Sequence, residues 1–85
     1  MKNDQIGEAL KIEILGTGCS KCAELFEKTK QAVAQSGKFA QIEKVEDPVA
    51  IIGYGVMSTP ALVINGVVKV SGHVPSIDEI ISFME

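Results

Sequence analysis

From Cys19 to Ser36 the chain runs without proline or glycine, and within it Cys22, Leu25, Phe26, Thr29 and Val33 recur at helical spacing. That pattern is one face of an amphipathic helix. Gly37 follows as the residue that ends it. Two short β-rich runs bracket the helix, Lys11 to Leu15 (KIEIL) and Gln41 to Val45 (QIEKV). Strand, long helix, strand leaves few choices. The two strands lie parallel in one sheet, and the helix is their crossover.

The remaining signals extend that unit. Asp47-Pro48 opens a short helix carrying Val49, Ile51 and Ile52, which stops at Gly53 or Gly55. Ala61 to Ile64 and Val67 to Ser71 flank Asn65-Gly66, a strong two-residue hairpin signal. Ser76 and Glu79 fit a capping box, and Ile77, Ile80, Ile81 and Met84 then supply one apolar stripe. The expected order is β-α-β-α-β-β-α, an α/β fold with a mixed four-stranded sheet and three helices. With 85 residues a single domain is expected at 11–85, after a short polar N-terminal extension at 1–10. There is no Trp, so the core must be aliphatic. Ile12, Ile14, Leu25, Phe26, Val33, Leu62, Ile64, Val68, Ile77, Ile80 and Ile81 are its expected members.

The net charge is −3 and the eight basic residues are scattered, which argues against nucleic acid as a partner. No apolar run approaches the roughly 18 residues of a membrane span. The opening MKNDQIGEAL holds two acids and no long apolar stretch, so it does not read as a secretory signal. A cytoplasmic monomer is expected.

The only two cysteines are Cys19 and Cys22, in "GCSKC". A structural disulfide closing so short a loop would stabilise weakly. A closed zinc site needs four ligands, and the single His73 lies far along the chain, in a turn. A redox dithiol fits better. The pair falls where strand passes into helix, and the orphan N–H groups and positive dipole end there stabilise a thiolate. Cys19, nearer the loop, is expected to attack a substrate disulfide. Cys22, one turn inward on the apolar face, is expected to resolve the mixed disulfide. Lys21 adds positive charge nearby. "GTGCSKC" is not a dinucleotide fingerprint, so no cofactor is expected and a separate electron donor must restore the dithiol.

A strand leading into CxxC at a helix start, followed by "YGVMSTPALVINGVVKVSG" from Tyr54 to Gly72, resembles the thioredoxin family. The likeness covers about residues 11 to 84, and the "GTGCSKC" loop and short chain look most like small archaeal and bacterial redox-active disulfide proteins. It implies a thioredoxin-like fold and a thiol–disulfide oxidoreductase. Its partners would be disulfide-containing proteins and a thioredoxin-reductase-type donor. It also implies that Thr59-Pro60 is the residue-cis-proline pair facing the dithiol, with Thr59 offering its backbone to an extended substrate. Glu13 falls where many thioredoxins keep a buried acid, so the resemblance makes it a possible base for Cys22.

The chain also departs from the family. Gly18 stands where thioredoxins usually carry Trp, and Ser20-Lys21 replaces Gly-Pro between the cysteines. Redox potential and partner choice are therefore open. Gly72 permits a close approach, yet no set of charged ligands for glutathione can be read. The alternative is a soft-metal carrier binding Cu(I) or zinc through the two thiolates, similar to heavy-metal-associated domains. That fold runs β-α-β-β-α-β and ends on a strand. A non-catalytic partner module of the same shape is the third reading.

Overall fold

The computed structural model describes residues 10–16, 18 and 20–84. The element order is β1 (Leu10–Leu15), α1 (Ser20–Ser36), β2 (Ala40–Val45), α2 (Pro48–Gly53), β3 (Ala61–Ile64), β4 (Val67–Ser71) and α3 (Ile77–Phe83). The α/β class and the order β-α-β-α-β-β-α are therefore those the sequence predicts. Of the expected extension, only Leu10 is described, and it already belongs to β1.

The sheet runs β2-β1-β3-β4, with β1 and β2 parallel and the other two pairings antiparallel. Asn65 and Gly66 both take positive φ, 52° and 83°, as a two-residue hairpin turn of this twist demands. Asn65 also extends the β1–β3 ladder. Its N–H donates to Lys11 O at 2.8 Å, and its Oδ1 accepts from Lys11 N at 2.9 Å. Each later helix is capped, the second of them by the box the sequence predicts. Asp47 Oδ1 accepts from Val49 N at 3.1 Å, and Ser76 with Glu79 closes a reciprocal capping box.

Strand alternation divides the core in two. Ile12, Ile14, Leu62, Ile64 and Val70 face α1 and α3, where Leu25, Ala32, Ile80 and Met84 close the layer. Leu15, Ala61 and Val63 face the other way, against Ile51 and Val56. Val68 sits on this second side, although it and Val70 are two apart in one strand. A bulge explains it: Leu62 pairs with Val70 but Val63 with Val68, so Lys69 is extra.

Phe26, Val33, Val68, Ile77 and Ile81, expected to be buried, are half-buried and pack against the clusters. For Phe26 the reason is visible. Its ring lies beneath the ammonium groups of Lys44 and Lys30, at 4.7 and 5.4 Å from the centroid.

Candidate active site

The parallel strands β1 and β2 end together, Leu15 opposite Val45, and Gly16 N–H donates to Val45 O at 3.0 Å. Sites in open α/β sheets gather at such carboxyl ends. The chain then passes through Gly18, whose φ of +91° suits glycine. It enters α1, whose first turn carries Ser20, Lys21 and Cys22 and no acid. The unsatisfied N–H groups and positive dipole end of that turn are thus not offset by a local carboxylate.

Cys22 is buried on the α1 side of the sheet. It fills the space a side chain at Gly16 would need. A Cβ added there would overlap Cys22 Sγ, and it would meet Cys22 Cβ at 3.2 Å and Thr59 Cβ at 3.9 Å. One glycine at the end of β1 therefore brings Cys22 and Thr59 into a single cluster. The Thr59–Pro60 peptide is cis; Pro60 is buried and Thr59 exposed. A second close approach supports the same loop. Gly72 N–H donates to Pro60 O at 2.9 Å, and a Cβ on Gly72 would press to 3.2 Å from Ser58 Cβ. Cys19, the expected nucleophile, lies outside the described residues.

Glu13 is 8% exposed, an unusual state for a carboxylate. Its antiparallel neighbour Val63 and the next same-face residue Leu15 both belong to the α2 side. There Tyr54 Oη donates a hydrogen bond to Glu13 Oε1. Glu43 is its parallel neighbour in β2. The bond to Glu13, then burial, then the Glu13 and Glu43 charges hold the Tyr54 phenol above its ordinary range. Glu13 and Cys22 thus approach the end of β1 from opposite faces of the sheet.

A cavity of about 80 Å³ opens beside Cys22, lined by Ile14, Gly16, Gly18, Ala23, Lys44 and Glu46. Lys44 and Glu46 were not singled out from the sequence. The signal lies in the parallel register: residues at the end of β2 must flank the end of β1. Tyr54 had no such signal, since its partner is 41 positions away. Lys21 and His73 are exposed.

Known proteins give a consistent comparison. A family model described as a thioredoxin domain matches residues 10–85. The chain is 37% identical over 71 residues to a thioredoxin of Methanothermobacter thermautotrophicus, covering 84% of this chain and 92% of that one. It is 42% identical over 69 residues to a thioredoxin of Methanocaldococcus jannaschii, covering 81% and 79%. Together with the β-α-β-α-β-β-α order and the mixed sheet, these matches identify the chain as a member of the thioredoxin family and a thiol–disulfide oxidoreductase.

Proposed function

We propose that Cys19 and Cys22 are the redox centre and that the protein reduces disulfides of protein or small-molecule substrates. The supporting observation is the cluster of Gly16, Cys22 and Thr59 at the end of β1. Cys19 thiolate attacks one sulfur of the substrate disulfide, whose S–S bond breaks to release the other sulfur as a thiolate. Cys22, once deprotonated, attacks the Cys19 sulfur of the mixed disulfide. The Cys19–Cys22 bond forms, the second substrate thiolate leaves, and two electrons have passed to the substrate. A thioredoxin-reductase-type donor returns them.

Thr59 and Pro60 shape the groove for the extended substrate segment, with Thr59 exposed for that role. Glu13, the base that the resemblance implies, is engaged by Tyr54 on the sheet face opposite Cys22, so on this reading the Cys22 proton passes to solvent instead. The protein works as a monomer in a reducing cytoplasm on this reading. Among the described residues no helix is long and apolar enough to cross a membrane. The soft-metal carrier is disfavoured because a helix, α2, separates β2 from β3 here, whereas that fold runs β-α-β-β-α-β.

Trapping tests the assignment. Cys22→Ser should accumulate a mixed disulfide through Cys19, seen by mass, and Cys19→Ser should abolish exchange while leaving the circular dichroism of the fold intact. A Cys19→Ser variant that still reduces substrate would remove Cys19 from the role.

A further inference from the structure

The cavity beside Cys22 carries two opposite charges from one stretch of chain, Lys44 in β2 and Glu46 just beyond it. Side chains two apart on an extended strand rise on the same side, roughly 6.5–7 Å apart. Such a pair could simply neutralise itself. It does not: among the described residues neither forms an ion pair. Lys44 instead lies over the Phe26 ring, 4.7 Å from its centroid, and Phe26 is one helical turn on from Cys22. A cation–π contact restrains the ammonium at the cavity wall without satisfying its hydrogen-bond donors. Glu46, exposed just past the end of β2, lines the same space.

We propose that Lys44 and Glu46 form a subsite that selects disulfides bearing an amino-acid zwitterion beside the reactive sulfur. Lys44 takes the carboxylate and Glu46 the ammonium group. A head group of that kind bridges the two side chains with one hydrogen bond at each end. The cavity, at about 80 Å³, is several times what one water needs. The chain's charge of −3 disfavours anionic substrates in general, so a locally held lysine is the feature that admits a carboxylate here. This inference rests on the reading of Cys19 and Cys22 as the exchanging pair.

Four small disulfides separate the contributions: cystine carries both charges, 3,3′-dithiodipropionate only carboxylates, cystamine only ammonium groups, and bis(2-hydroxyethyl) disulfide neither. The quantity compared is kcat/KM for each charged disulfide divided by that for the neutral one. Cystine should give the highest ratio in the unmodified protein. Lys44→Gln should lower the ratios for cystine and dithiodipropionate about two- to fivefold, the range of an exposed ion pair, and spare that for cystamine. Glu46→Gln should lower those for cystine and cystamine and spare that for dithiodipropionate. Phe26→Leu should reproduce the Lys44→Gln pattern more weakly.

Ratios that do not move in either charge variant, or that move equally for every charged disulfide, would overturn the subsite while exchange itself stands. An unmodified protein that reduces none of the four but still reduces a protein disulfide such as that of insulin would overturn the subsite alone, and one that reduces neither would overturn the exchange reading and the subsite with it.

Discussion

Gly16 shows how much one missing side chain decides. Its Cα hydrogen faces Cys22 Sγ, and any Cβ there would occupy the sulfur's place. Gly16→Ala should therefore displace α1 from the end of β1. The expected cost is about 1–3 kcal/mol, as in other overpacked sites, with a loss of exchange rate. Urea unfolding and a turnover assay on the same sample measure both. Tyr54 decides something at the opposite face. Its phenol is raised chiefly by the bond to Glu13, so the folded state binds that proton more tightly than the unfolded chain. The associated stability is complete below the ordinary tyrosine value of about 10 and fades as pH rises through the higher folded value. Tyr54→Phe should remove that alkaline component, visible as a flatter dependence of the urea midpoint on pH above about 9.5. Near neutrality it should cost about 1 kcal/mol, because the Glu13 carboxylate loses a donor.

At the scale of elements, the chain announces itself wherever the cause is local. Asn65-Gly66 takes the positive φ its turn needs, and the Ser76–Glu79 box closes because both partners lie within one turn of helix. The bulge at Lys69 was not legible. It follows from how β4 meets β3, and nothing in "VVKVS" marks an extra residue. The half-burial of Phe26 was hidden for a like reason, since Lys44 reaches it from another element. α3 has seven residues, too few to be stable alone, so its cap and its packing act together. Ser76→Ala should lower the urea midpoint by the equivalent of about 1 kcal/mol with an unchanged slope. A changed slope would mean that α3 had detached.

Over the whole molecule, β-α-β at the front and a hairpin behind are legible, and they suffice for the class. The strand order β2-β1-β3-β4 needs one contact the sequence does not advertise, the antiparallel pairing of Ile12 with Ile64 across the chain. The same pairing makes the candidate site. It carries Thr59 and Pro60 up to Gly16 and Cys22, so Cys22 and the Thr-Pro pair, named from sequence as parts of separate motifs, gather at one sheet end. The charged wall of that site, Lys44 and Glu46, became visible only once β2 was laid beside β1.

The central claim is that Cys19 and Cys22 are a reversible dithiol. Metal-free protein titrated in thiol–disulfide buffers, with both cysteines scored by alkylation and mass, tests it most directly. The account predicts one two-electron transition in which both thiols are lost and regained together, at a midpoint between about −180 and −300 mV. No reversible internal disulfide, with Cu(I) or zinc held stoichiometrically instead, would contradict it.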